Sequence, residues 1–257
     1  MKFLAIIPSR YGSTRFPGKP LALLAGKPIV ERVYERVATV FDHLCVATDD
    51  ERISSAVEAF GGVAVLTSTE HRSGTDRCRE ALEKMEAKTG LKFDVVVNVQ
   101  GDEPFIAPSQ LQNIRSAFDN AATQIATLVK PFAPDTPFDT LANPNSPKVV
   151  VDAEGRALYF SRSVIPYLRD AEPSEWAAKH RYLKHIGLYA YRADVLARIT
   201  ALPAGELERC ESLEQLRWLQ AGFTVQTIET DEETIGIDTP ADLERAEKFF
   251  AKVISKN

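Results

Sequence analysis

Three cations, Arg10, Arg15 and Lys19, share one short segment with Gly12 and Gly18. They follow an apolar run, Phe3 to Ile7, that reads as a buried strand. Open α/β sheets bind ligands at the C-terminal ends of their strands, so cations on a loop there make a seat for a polyanion. A nucleoside triphosphate fits that chemistry. Two carboxylates extend the set. Asp102, in Gln100-Gly101-Asp102-Glu103-Pro104, follows the apolar run Val95 to Val99. Asp238, in Gly236-Ile237-Asp238-Thr239-Pro240, precedes the last helical pattern. Pro240 suits the first helical position, Thr239 the N-cap and Asp242 the third position, which leaves Asp238 with no capping duty. Mg²⁺ takes a few carboxylates together with phosphates and waters, and this pair matches that demand. The structural alternatives are a turn-forming Asp102 before Pro104 and a capping Asp238.

The cation loop is not a P-loop. That motif needs four residues between its glycines and a Ser or Thr after the lysine. Here five residues separate Gly12 from Gly18, and Pro20 follows Lys19. Side-chain cations, helped by loop N–H groups, are therefore expected to hold the phosphates. His71-Arg72-Ser73-Gly74-Thr75-Asp76-Arg77 offers a hydroxyl, a flexible glycine and helix-start N–H groups at the same edge. It suits reading of a base, and equally a plain capped helix start. His185 and Tyr189 lie four apart on one face of a strand, as a ligand-facing pair or a packed one. Glu211, Glu214 and Arg217 are spaced to pair along a helix face.

Strand and helix patterns alternate through the first half. Pro28 opens a helix with an apolar stripe of Ile29, Val30, Val33, Tyr34, Val37 and Val40. Leu44 to Thr48 is a strand, Asp50 to Phe60 a helix closed by Gly61, and Val63 to Leu66 a strand. Thr75 or Asp76 caps a helix that runs toward Thr89 and stops at Gly90. This order predicts an α/β fold, a mostly parallel sheet with helices on both faces. Farther on, Val149 to Val151 and Ala157 to Phe160 read as a hairpin around Asp152-Ala153-Glu154-Gly155. Residues 170–181 read as a mobile polar loop, Lys184 to Tyr191 and Thr224 to Glu229 as strands, Glu206 to Gln220 as one helix, and Pro240 to Lys252 as the closing helix.

The chain has 257 residues and a net charge of -5, which argues against general nucleic-acid binding. Three dispersed cysteines suggest free thiols, and the four histidines lack zinc spacing. No run is long enough to span a bilayer, and Phe3 to Ile7 is too short for a signal-peptide core, so a cytoplasmic protein is expected.

Taken together, the motifs IIPSRYGSTRFPGKPL, VATDDERI, HRSGTDR, VVNVQGDEPFI, DAEGRALYFSR, HIGLYAYR, ESLEQLRWL and GIDTPADLERA span nearly the whole chain in order. This set resembles the 3-deoxy-manno-octulosonate (Kdo) cytidylyltransferases, the CMP-Kdo synthetases. Ser9 and Gly12 stand where relatives often carry Ala, and Arg72 where Gln or Pro is usual. Residues 170–181 match nothing in the family pattern. The resemblance implies a Rossmann-like nucleotidyltransferase fold in one domain over residues 1–257, with about 130–200 holding a sugar-binding and dimerising part. It implies the reaction of CTP with Kdo to CMP-Kdo and pyrophosphate, for lipopolysaccharide, in a Mg²⁺-dependent homodimer. By the same resemblance Arg10, Ser13, Arg15, Lys19, Ser73, Gly74 and Gln100 bind the nucleotide. Lys19, Arg10, Arg15 and Asp102 serve catalysis, and Asp102 and Asp238 hold Mg²⁺. Arg162, His185, Tyr189, Glu214 and Gln215 line the sugar site. Two rivals stay open: a cytidylyltransferase for 8-amino-Kdo or sialic acid, and a non-catalytic nucleotide-binding module.

Overall fold

The N-terminal apolar run forms β1 (Phe3–Ser9), in which Leu4, Ala5, Ile6 and Ile7 are fully buried. Burial on both faces is what a near-continuous apolar strand needs. The computed structural model describes residues 1–12, 15–232 and 236–254, so the candidate Ser13 lies outside the described residues. The chain divides into two compact units, Met1–Gln112 with Thr234–Asn257, and Asn113–Glu233.

In the first unit, a two-residue ladder of β2 (Leu23–Leu24) and β3 (Lys27–Pro28) leads to α1 (Ile29–Ala38). Ile29, Val30, Val33 and Val37 are buried as the stripe predicts, and Val40 lies past the helix end. Then come β4 (Leu44–Thr48), α2 (Glu51–Ala59), β5 (Ala64–Leu66), α3 (Gly74–Thr89) and β6 (Val95–Asn98). The strands pair in parallel in the order β6, β1, β4, β5, and helices flank them. Parallel pairing sets every strand's C-terminal end on one edge. Asp50 caps α2, its side chain accepting the Arg52 N–H. The cap of α3 is Ser73 rather than Thr75 or Asp76: Ser73 Oγ accepts the Asp76 N–H at 3.1 Å. Ser and Thr are comparable caps by type, and Thr75 is buried inside the first turn, so the earlier residue serves. Gly90 ends the helix in the left-handed conformation. The boundary between the units falls within α4 (Pro108–Ser116).

The second unit contains β7 (Ile125–Pro131), α5 (Phe138–Leu141), β8 (Lys148–Val151), β9 (Ala157–Ser161), α6 (Trp176–Lys179) and β10 (Leu183–Arg192). After them follow α7 (Ala193–Ile199), α8 (Glu206–Glu211), α9 (Gln215–Gln220) and β11 (Val225–Glu229). β11 runs parallel to β7, β7 antiparallel to β10, and β8 antiparallel to both β10 and β9. The predicted hairpin is the β8–β9 pair. Two expectations are corrected here. Residues 170–181 are not a loose loop: Pro173–Glu175 forms a 3₁₀ turn and α6 follows. Trp176 is buried with Leu141 and Tyr182, its ring edge-on to Phe138, and its indole N–H donates to the Ala171 carbonyl at 3.0 Å. One large aromatic outweighs the polar composition around it. Nor is Glu206 to Gln220 one helix. It breaks at Ser212, whose φ is 50°, into α8 and α9. The break turns Glu211 toward Ser161 Oγ (2.6 Å) and the Arg162 N–H (2.9 Å), while Arg217 pairs with Glu208.

The chain returns to the first unit for α10 (Pro240–Ile254). Among the described residues, no helix is long and apolar enough to cross a membrane.

Candidate active site

Lys19 is aimed by the loop that precedes it. Gly18 adopts the left-handed conformation, its N–H donates to the Tyr11 carbonyl at 2.9 Å, and a Cβ there would meet the Tyr11 ring at 3.1 Å. The Arg52 guanidinium caps the Tyr11 ring at 3.4 Å from its centroid and is itself held by Asp50. Closed in this way, the loop delivers Lys19 at the start of a 3₁₀ turn, Lys19–Leu21. Its Nζ donates to Asp102 Oδ2 at 2.6 Å and to Asp238 Oδ1 at 3.2 Å. Arg15 reaches Asp238 Oδ2 at 3.2 Å.

The two aspartates are brought together by backbone. Asp102 follows β6 through Gly101, where a Cβ would lie 2.6 Å from Ser9 Oγ and 2.9 Å from the Pro8 carbonyl. Only glycine lets the loop pass this close to β1. The Ile237 N–H then donates to the Asp102 carbonyl at 2.9 Å, so the two carboxylate-bearing loops are tied to each other. The capping reading of the last helix holds. Asp242 N–H donates to Thr239 Oγ1, and Thr239 N–H donates back to Asp242 Oδ2 at 2.9 Å. Asp238 therefore keeps its carboxylate for Lys19 and Arg15.

These side chains border a cleft of about 330 Å³ at the strands' C-terminal edge. Arg10, Ser73, Gly74 and Gln100 line it. Ser73 Oγ also carries the α3 cap, so its hydroxyl has a structural duty besides any ligand contact. Sequence reasoning missed Ser9, His71, Arg72 and Arg77 as lining residues. Ser9 Oγ is buried and finds no hydrogen-bond partner among the described residues. Arg77 is a buried cation that pairs with Asp49 at 2.7 Å and bonds Thr67. The available signal was joint: Arg77 closes HRSGTDR, in the first turn of α3, and Asp49 sits in VATDDERI, just past the end of β4.

The remaining candidates lie in the second unit. His185 and Tyr189 share a face with ring centroids 5.3 Å apart, and Tyr189 packs edge-on against Trp218 of α9. Gln215, at the start of α9, is buried, and its Nε2 has no partner among the described residues. Burial holds the His185 imidazole down at about 3. Burial, and next the neighbouring Tyr191 and Glu214, pushes the Tyr189 hydroxyl well above the usual phenol range. Arg162 has a supporting duty: its guanidinium donates to the carbonyls of Glu211 (2.6 Å), Pro144 (2.8 Å) and Ser212 (3.1 Å). Behind it, the buried Lys148 donates to the Arg162 carbonyl at 2.6 Å.

Comparison with known proteins bears on this geometry. Residues 4–235 match the model of a family described as Cytidylyltransferase. A 3-deoxy-manno-octulosonate cytidylyltransferase of Phocaeicola vulgatus is 61% identical over 97% of this chain and 98% of its own. One from Escherichia coli is 44% identical over 100% and 99%. The chain belongs to the 3-deoxy-manno-octulosonate cytidylyltransferase family. A solved structure of CMP:2-keto-3-deoxy-manno-octonic acid synthetase complexed with CTP superposes with a TM-score of 0.88 at 44% identity, covering 98% of this chain and 99% of that one. The α/β nucleotidyltransferase fold expected from the motifs is thus the fold observed.

In this cleft, the donor set fits a divalent ion. Two carboxylates converge on a single cation, the Lys19 ammonium, and a two-carboxylate set leaves the rest of an octahedral shell to phosphate and water. The rim of the cleft also depends on a half-buried carboxylate, Glu80. Burial alone would raise Glu80, but hydrogen bonds from Lys84, the Ser68 N–H and His71 outweigh it and hold it at about 2, against an ordinary 4.5. A depressed folded-state pKa contributes stability above pH 4.5 that is lost as pH falls toward 2. Glu80→Gln should therefore cost about 1 kcal/mol near neutrality. Urea unfolding of both proteins across pH should show that gap narrowing below pH 4.5; a pH-independent gap would assign Glu80's contribution to packing alone.

Proposed function

We propose that the chain transfers a cytidylyl group from CTP to Kdo, giving CMP-Kdo and pyrophosphate, as a Mg²⁺-dependent cytoplasmic homodimer that serves lipopolysaccharide assembly. The observation that carries the reading is the meeting of Lys19, Asp102 and Asp238 at a cleft bordered by Arg10, Arg15 and Arg72. Arg10, Arg15 and Lys19 neutralise the triphosphate. Ser73, Gly74 and Gln100 contact the cytidine. Asp102 and Asp238 would hold Mg²⁺, which when bound supplies Lewis acidity and charge neutralisation at the reacting phosphate. The sugar's anomeric oxygen attacks the α-phosphorus, the bond to pyrophosphate breaks in line, and the hydroxyl proton is released. Most of the barrier to such a transfer is alignment and charge, which the Lys19 ammonium and the two arginines address. His185, Tyr189, Glu214 and Gln215 line the sugar subsite, with Arg162 bracing it through the carbonyls of Glu211 and Ser212.

A pyrophosphate-release assay tests this. Release is expected with CTP, Kdo and Mg²⁺ together and not when any one is omitted or when another triphosphate replaces CTP. Parallel runs with 8-amino-Kdo and sialic acid decide the sugar; a preference for either would reassign the substrate. Calorimetry showing CTP binding with no turnover on any sugar would favour a non-catalytic nucleotide-binding role.

A further inference from the structure

β10 does not pair evenly with β7. His185 stands opposite Val129, and Ile186 opposite Leu128, but the next paired residue is Tyr189, opposite Thr127. Gly187 and Leu188 are thus looped out, and this bulge brings His185 and Tyr189 to neighbouring positions on one face. Thr127 sits at the centre of the irregularity, fully buried. Its hydroxyl oxygen lies 2.9 Å from the Leu188 carbonyl, 3.2 Å from the Ile186 carbonyl and 3.1 Å from His185 Nε2.

A threonine hydroxyl has one proton and two lone pairs. Both carbonyls can only accept, so the proton must point toward them. Turned toward the imidazole instead, it would leave two carbonyl oxygens facing a bare hydroxyl oxygen in a buried site, with nothing between them but repulsion. The contact to Nε2 is then one in which Thr127 accepts, and Nε2 carries the hydrogen. A neutral imidazole has a single N–H, so Nδ1 bears a lone pair. This is the only hydrogen bond the His185 ring makes among the described residues. Burial keeps the ring neutral, holding its pKa at about 3.

We infer that Thr127 is a positioning residue that fixes His185 as the Nε2–H tautomer, so that Nδ1 accepts a hydrogen bond from a sugar hydroxyl. The substrate half of this inference rests on the proposed sugar activation; the tautomer half does not. His185 accordingly reads a neutral hydroxyl of a polyol and gives no positive charge to the sugar's carboxylate.

Nitrogen NMR of protein with ¹⁵N-labelled histidine rings, the signal assigned with His185→Asn, tests the first half. At neutral pH His185 should show a protonated Nε2 and an unprotonated Nδ1, and Thr127→Val should move population to the Nδ1–H form. Steady-state kinetics test the second half. Thr127→Val should raise KM for Kdo about tenfold with KM for CTP essentially unmoved, and Thr127→Ser should restore both the tautomer and KM. A parent spectrum showing an Nδ1–H or doubly protonated ring overturns the assignment even where the valine variant fails to fold. A shifted tautomer with unchanged KM for Kdo overturns the positioning role. An Nε2–H parent that turns over no Kdo supports the Thr127 assignment while overturning the sugar reading.

Discussion

Asp102→Asn is expected to lower kcat about 100-fold or more while moving the melting temperature by no more than a few degrees. The two halves of that expectation have separate causes. The fold around Asp102 is held by groups the substitution leaves alone. The Ile237 N–H bonds the residue's backbone carbonyl, and Gly101 keeps its close approach to β1. Asparagine also has the same volume and retains an oxygen that can accept from Lys19 Nζ, now 2.6 Å from the carboxylate. What asparagine lacks is the negative charge. Hard divalent cations are held by charged oxygens, and a neutral amide beside Asp238 would leave a single carboxylate on the ion. Rapid-quench turnover over a Mg²⁺ titration, with thermal melts of the same samples, checks both halves. Near-normal turnover at saturating Mg²⁺ would remove Asp102 from the metal and return it to a turn-forming role before Pro104.

The features that make this site legible in sequence are local rules with one dominant solution. An apolar strand followed by cations and a Thr-Pro helix start that leaves the preceding Asp uncommitted each carry their reason in adjacent residues. The capping box between Thr239 and Asp242 is the clearest case, because once those two residues satisfy each other Asp238 must find another partner. What sequence could not supply was convergence. Nothing local says that the Ile237 N–H meets the Asp102 carbonyl, or that Arg77 of one motif pairs with Asp49 of another. The misreadings share a cause as well. The charged stretch from Glu206 to Gln220 has helical composition throughout, yet Ser212 turns left-handed so that Glu211 can serve Ser161 and Arg162, residues far away in the chain. Residues 170–181 are polar by count, and the Trp176 that orders them does so through Phe138 and Tyr182. In each case a tertiary partner overrode a local preference. The bulge in β10 belongs here too: alternation puts His185 and Tyr189 on one face, but only the pairing with β7 shows that they are adjacent and share Thr127.

Lys19→Ala should separate binding from chemistry most sharply. The ammonium is held in two ways at once, by Asp102 at 2.6 Å and Asp238 at 3.2 Å, and its side chain is only 13% exposed. Its removal takes a fixed positive charge from the place where phosphate charge would build, so kcat should fall about 100-fold or more. KM for Kdo should hardly change, because the proposed sugar contacts are carried by other residues. The ligand-free protein should respond as well. Without the ammonium the two carboxylates face each other with Arg15 alone beside Asp238, at 3.2 Å and on a largely exposed side chain. Like charges in a partly solvated pair repel by about 1 kcal/mol, and added salt screens that repulsion. The melting temperature should thus drop in dilute buffer and recover with salt. Millimolar Mg²⁺ should raise it more in Lys19→Ala than in the parent, since the ion would fill a position the ammonium otherwise contests. Initial rates at varied Kdo and CTP, with melts in dilute buffer, in salt and in Mg²⁺, separate these effects. A variant defective only in sugar affinity, with kcat intact, would place Lys19 at the sugar and break the link between the cation loop and phosphoryl transfer. Equal Mg²⁺ stabilisation of both proteins would mean that the ion, wherever it binds, does not enter between Asp102 and Asp238.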